Sequence, residues 1–131
     1  MAIKYYNTMS RTKEEFKPLK DKDVYIYTCG PTVYNYVHIG NLRTFLFEDI
    51  LVRHLKFKGY EVHQVMNLTD VDDKTIKNSI QQGMSLSDYT RQYKDAFFQD
   101  INTLNISPAK QYPAATEHID EMVSIIKSLE A

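Results

Sequence analysis

The chain has 131 residues, the size of one compact domain with a core of its own. Its 43% apolar and 25% charged residues, with four Gly and four Pro, exclude a disordered or low-complexity segment, and no stretch approaches the ~20 apolar residues of a membrane span. Sixteen Lys and Arg against 17 Asp and Glu leave a net charge of -1, so the chain as a whole presents no basic footprint for nucleic acid. The first residues hold no apolar run of signal-peptide length, and the single cysteine, Cys29, excludes an internal disulfide and suits a reducing compartment. A cytoplasmic location is expected.

Residues 23–29 are rich in β-branched and aromatic types and stop at Gly30-Pro31, which predicts a strand with Cys29 at its C-terminal end. From Asn41 to Lys58 the apolar residues Leu42, Phe45, Leu46, Ile50, Leu51 and Leu55 approximate helical spacing, with Gly59 placed to end the helix. Residues 60–66 predict a second buried strand, left through Asn67 to Asp70. Two strands separated by one long helix cannot form a hairpin, so a parallel crossover is expected. In such sheets the ligand crevice lies beyond the carboxyl ends of the strands, so residues 29–40 and 67–73 should face one cleft.

The remainder reads as helix. One is expected from Lys74 to Gln82, one opened by Ser85-x-x-Asp88 and running to Leu104, and one from Glu117 to Glu130 with Ile119, Met122, Val123, Ile126 and Leu129 on a single face. That face needs something to pack on, which suggests a chain cut from a longer protein. No linker or repeat divides residues 1–131, so they are expected to form part of one domain. Most of the aromatic stock, including Tyr25, Tyr27, Phe45, Phe47, Phe97 and Phe98, is expected in core or half-buried positions.

The chemistry is concentrated in the run from Cys29 to Asn41: a strand end, a loop and a helix start. Backbone N–H groups and the helix dipole attract an anion there, Gly40 permits close approach, and His38 adds a ring donor. On its own, Cys29 reads best as a small buried residue closing a strand. Asp72 and Asp73 read best as helix-start carboxylates rather than as a magnesium site.

The run Cys29-Gly30-Pro31-Thr32-Val33-Tyr34, followed by His38-Ile39-Gly40-Asn41, resembles the nucleotide-binding signature of class I aminoacyl-tRNA synthetases in the form of the cysteinyl-tRNA synthetases. The block from Asn67 to Ile76 resembles that family's Asn-x-Thr-Asp-x-Asp-Asp-Lys-x-Ile pattern, and Thr8 to Lys17, Leu104 to Ile106 and Ala115 to Ile119 are similar to further landmarks. One position departs: Asn41 stands where the usual signature has a second His, and Asn donates a hydrogen bond without carrying charge.

The resemblance implies an α/β fold, a Rossmann-like parallel sheet with crossover helices and a helical C-terminal portion, forming the N-terminal part of a class I catalytic domain. It implies ATP-dependent activation of L-cysteine to cysteinyl-adenylate and transfer to tRNA(Cys), with ATP acting alongside magnesium and the protein acting as a monomer off the membrane. His38 and Asn41 are implied as catalytic, and Gly30, Pro31, Thr32, His38, Gly40 and Asn41 as ATP-binding. Gly30, Thr32, Thr69 and Asp70 are implied to bind the amino acid or order its pocket. Cys29 is implied as one ligand of a zinc ion that takes the substrate thiolate, a soft pairing that separates cysteine from serine. His38, His54, His63 and His118 are not in metal-ligand spacing with Cys29, so the other ligands are expected outside residues 1–131. The family's Lys-Met-Ser-Lys-Ser loop is absent from the sequence, so these residues alone are expected to be inactive. Two alternatives share the features: a cysteine ligase of mycothiol synthesis and a small nucleotidylyltransferase.

Overall fold

In the computed structural model, which describes residues 2–130, nine elements follow one another. They are β1 (Lys4–Asn7), β2 (Thr12–Glu15), β3 (Asp23–Thr28), α1 (Ile39–Phe57), β4 (Glu61–Met66), α2 (Asp73–Gln81), α3 (Leu86–Thr103), a 3-10 turn (Ala115–His118) and α4 (Ile119–Glu130). The expected crossover is present: β3 and β4 pair in parallel from Asp23 opposite Glu61 to Thr28 opposite Met66, with α1 between them in sequence. Both strands therefore end on the same side of the molecule.

Helix α1 buries Phe45, Asp49, Val52 and Leu55, spaced by three or four residues so that they fall on one face. Gly59, at φ 86, turns the chain out of the helix and its N–H closes on the Lys56 carbonyl at 2.9 Å. The main core joins Phe45 to Met66 and Leu68 at the end of β4, Phe97 and Ile101 of α3, and Ile106 and Ala114 beyond it. Burial of each large side chain contributes roughly 1.5–3 kcal/mol. Asp49 accepts from Arg53 at 2.6 Å and from the Ser107 N–H at 3.0 Å, while Arg53 also donates to the Asn105 carbonyl at 2.6 Å. Burial raises the Asp49 carboxyl, and the bonds from Arg53 and Ser107 outweigh it and leave it below its usual range.

Two features lay outside the expectations. Residues 4–7 and 12–15 form an antiparallel hairpin, and residues 110–115 run beside β4 as a third, irregular strand. The second is held by Lys110 N–H to Gln64 O at 2.8 Å, Met66 N–H to Gln111 O at 3.1 Å, Leu68 N–H to Pro113 O at 2.8 Å and Ala115 N–H to Leu68 O at 3.0 Å.

The aromatic expectation holds for Phe45 and Phe97, which are 4% and 1% exposed, and fails for Tyr25, Tyr27 and Phe47, which are 66%, 70% and 67% exposed. For the two tyrosines the reason is the pleat: Val24 and Ile26 turn to the covered face, so Tyr25 and Tyr27 turn to the opposite one, which no described residue covers. Phe47 lies two residues past Phe45 on α1, off its buried face. The apolar face of α4 is likewise open, with no residue of that helix buried. Among the described residues no helix is long and apolar enough to cross a membrane.

Candidate active site

Beyond Thr28 and Met66 the two strands stay paired with the register slipped by one residue, since one more residue lies between Thr28 and Thr32 than between Met66 and Thr69. Thr32 pairs with Thr69, the Thr69 N–H donates to Pro31 O at 3.0 Å, and the Val33 N–H donates to Thr69 O at 3.0 Å. The Gly30 N–H donates to the Asn67 side-chain oxygen at 3.1 Å, and Asn67 Nδ2 donates to Thr69 Oγ1 at 3.1 Å. A Cβ on Gly30 would lie 1.9 Å from the Asn67 carbonyl oxygen, so the close pass of the two strands explains this glycine.

A cavity of about 470 Å³ opens at this end, lined by Cys29 to Thr32, Tyr34 to His38, Asn41, Thr44, Phe45 and Lys74. Of residues 29–40, expected to face the cleft, all but Val33, Ile39 and Gly40 line it. Residues 67–73 do not line it, because the Thr32–Thr69 pairing sets them behind the loop, and the next residue, Lys74, reaches the cavity instead. Cys29 is exposed, which removes the alternative of a buried strand-closing residue. Among the described residues its thiol has one hydrogen-bond partner, the Gly30 carbonyl at 3.7 Å.

His38 is the N-cap of α1. Its Nδ1 accepts from the Gly40 N–H at 3.0 Å, which in the neutral ring places the proton on Nε2. A Cβ on Gly40 would lie 2.7 Å from His38 Cε1, so glycine two residues after the histidine is what lets the ring fold back as a cap. Asn41 completes a capping box: its Oδ1 accepts from the His38 N–H at 3.2 Å, leaving its Nδ2 to donate elsewhere.

The expectation of open backbone donors at this helix start holds for the Ile39 N–H alone among the first residues of the helix. The Gly40 N–H goes to His38 Nδ1 and the Asn41 N–H to His38 O at 2.9 Å. The donors left for an anion at this helix start and cavity wall are the Ile39 N–H, His38 Nε2, Asn41 Nδ2 and Lys74 Nζ, which meet no hydrogen-bond acceptor among the described residues.

A model of the family described as "tRNA synthetases class I (C) catalytic domain" matches residues 15–131. The chain belongs to this family. A cysteine–tRNA ligase of Protochlamydia amoebophila is 56% identical over 129 residues, 98% of this chain and 27% of the relative. The cysteine–tRNA ligases of Brachyspira hyodysenteriae and Methanosarcina mazei are 58% and 54% identical over 127 residues, 97% of this chain and 27% of each relative. The chain thus spans about a quarter of the length of the curated relatives it matches. The parallel strand–helix–strand unit agrees with an α/β class I catalytic domain.

Within this family member, Asp70 occupies a position that the sequence left open. It is 2% exposed and both oxygens are in use: Lys94 Nζ donates at 2.6 Å, the Thr116 N–H at 2.9 Å and the Thr116 hydroxyl at 2.7 Å. Burial raises its carboxyl, and the bonds from Lys94 and Thr116 together with the ammonium charge overcome that and hold it below its usual range. Asp70 thus pins the strand end to α3 and to the 3-10 turn. Its depressed folded pKa contributes stability that is complete above the unfolded value and lost as pH falls through the folded one. Asp70→Asn is expected to destabilise by about 2–3 kcal/mol, less than the ~3–5 kcal/mol of a fully buried pair because Lys94 keeps some solvent contact. Urea unfolding at pH 7 measures this, and the difference from the unmutated chain should shrink below pH 4.

Asp72 caps α2, its Oδ1 accepting from the Thr75 N–H at 2.7 Å while the Thr75 hydroxyl accepts from the Asp72 N–H at 2.7 Å. Tyr89, 1% exposed, donates its hydroxyl to the Tyr34 carbonyl at 2.6 Å and accepts from Asn78 of α2 at 3.1 Å. Tyr93 stands between Tyr89 and Tyr36, edge to face with each, and burial, with the two phenols close by, pushes its own phenol up to about 12.

Zinc needs about four ligands. Cys29 fits as one, being exposed, soft and at the cavity edge. The group of three metal-capable side chains found among the described residues, Asp23, Glu61 and His63, lies at the opposite ends of the strands. There His63 Nε2 is 3.0 Å from Asp23 and Nδ1 is 3.3 Å from Lys110 Nζ, a closed hydrogen-bond chain.

Proposed function

We propose that residues 1–131 form one part of a single catalytic domain and carry the first half of a cysteine-activating site in a cysteine–tRNA ligase. The observation that carries this is one cavity wall presenting a free thiol, Cys29, and a helix-capping histidine, His38, with its outward N–H available. In the proposed reaction the carboxylate of L-cysteine attacks the α-phosphate of ATP, bound with magnesium, pyrophosphate leaves, and the cysteinyl group passes to the 3′ end of tRNA(Cys). Phosphoryl transfer of this kind gains chiefly from positioning and charge stabilisation. His38 Nε2–H and Asn41 Nδ2–H meet the oxygens that gain charge, and Gly40 holds His38 in the orientation that aims that donor. Thr32 and Gly30 shape the floor, with Thr69 locked behind Thr32. The location follows from the role: cytoplasmic, as a monomer.

Cys29 is proposed as one zinc ligand, the others coming from residues outside this chain. Bound there, the metal supplies a soft acceptor that prefers a thiolate to a serine hydroxyl, where shape alone discriminates poorly. Cysteine-dependent ATP–pyrophosphate exchange on the 131-residue chain with zinc, beside the full-length product of its reading frame, tests the proposal. Exchange by the longer protein alone is expected, with Cys29→Ser lowering both its bound zinc and its preference for cysteine over serine. Exchange by the short chain would refute the half-site.

A further inference from the structure

Lys74 is the one residue with a permanent positive charge among those lining the cavity. It is the second residue of α2, at the positive end of the helix dipole, where a cation is locally disfavoured and where Asp72 and Asp73 are the favourable choices. Among the described residues no carboxylate lies within 4.0 Å of its ammonium. Its contact is instead the Tyr34 ring, with Nζ 4.8 Å from the centroid.

That contact is held from behind. Tyr89 bonds at once to the Tyr34 backbone and to Asn78, one helical turn after Lys74, so the ring and the lysine belong to one fixed unit. An ammonium kept at a cavity wall by a ring face, away from counter-charge and against its own helix dipole, is a charge kept for something that enters the cavity.

We propose that Lys74, steered by Tyr34, is the counter-ion for an oxyanion bound in this cavity, either a phosphate of the nucleotide or the carboxylate of the amino acid. The inference rests on the cysteine-activation reading and adds to it a binding residue outside the His38 signature. Its test uses the full-length product of the reading frame, with cysteine-dependent ATP–pyrophosphate exchange giving the KM for ATP and for cysteine separately. Lys74→Gln should raise one of the two about 10-fold or more, ATP if the group is a phosphate and cysteine if it is the carboxylate, while thermal melting stays within a degree or two. Lys74→Arg should restore part of the loss, and Tyr34→Leu should raise the same KM by more than Tyr34→Phe does.

If Lys74→Gln leaves both KM values and kcat within twofold of the unmutated protein, the proposal fails. It fails too if exchange is untouched while transfer to tRNA is lost, which would put Lys74 on the nucleic acid. An unmutated full-length protein that performs no exchange would overturn the underlying activity reading, and the counter-ion role with it.

Discussion

Replacing Gly30 with alanine is expected to destabilise the fold by at least about 3 kcal/mol and to loosen the cavity floor before any ligand is considered. The added methyl would lie 1.9 Å from the Asn67 carbonyl oxygen and 2.8 Å from Met66 Cγ. Met66 is a core residue, 4% exposed, and the carbonyl is backbone, so relief must come from parting the two strands. Overpacking of this kind costs about 1–3 kcal/mol. Parting the chains also gives up the Gly30–Asn67 bond and threatens the two bonds at Thr69, each worth ~0.5–1.5 kcal/mol. Hydrogen exchange at the Val33 and Thr69 amides reads the event locally and urea unfolding reads its size. Amide protection equal to that of the unmutated chain would show that the close pass is not the reason for this glycine.

The second large effect is expected at His38, in activity more than in stability. His38→Ala in the full-length protein should lower kcat for cysteine activation by ~10²–10³, the usual consequence of losing one donor to developing oxyanion charge. It should also cost the helix about 1 kcal/mol, because the ring is the N-cap. His38→Asn separates the two roles, since Asn caps well but its side chain stops short of where Nε2 reaches. It should hold its melting temperature and still lose most of the rate. Gly40→Ala should follow His38→Ala despite leaving the histidine in place, because the new Cβ would lie 2.7 Å from the ring. Steady-state kinetics beside thermal melting distinguish these outcomes, and an active Gly40→Ala enzyme would show that the capped ring is not the working orientation.

The unit that builds the site was legible because its signals are periodic and local. The strands show in their β-branched and aromatic residues, α1 in the spacing of Leu42, Phe45, Leu46, Ile50, Leu51 and Leu55, and Gly30-Pro31 and Gly59 mark the stops. From these β3, α1 and β4 emerge within a residue or two of their observed ends, although Ile50 proves exposed and Val52, outside that set, is buried. The β1–β2 hairpin was hidden because its turn, from Thr8 to Arg11, carries no Asn-Gly or Gly-Gly signal and instead puts Arg11 at φ 57. The strand-like run at 110–115 was hidden because Pro113 argues against a strand, although its carbonyl still accepts from Leu68.

At the site, Cys29, His38, Gly40 and Asn41 were found together because they lie within 13 residues of one another in sequence and in one loop. What Asp70 does was not readable, since its partners stand 24 and 46 residues further on and no spacing rule connects Asp70, Lys94 and Thr116. Lys74 was passed over for the opposite reason: it sits inside a recognisable block whose acids have a sufficient local explanation as caps. Its position at the disfavoured end of a helix was the available signal.

The buried hydroxyl of Tyr89 has a mechanical meaning. By tying the Tyr34 backbone to Asn78, it welds the loop above the strand ends to the helix that carries Lys74, and a phenol 1% exposed gives up such bonds only at the cost of leaving polar groups dry. This side of the cleft behaves as an anvil. In the proposed reaction, the precision with which a substrate is held is set by how little Tyr34 and Lys74 give way.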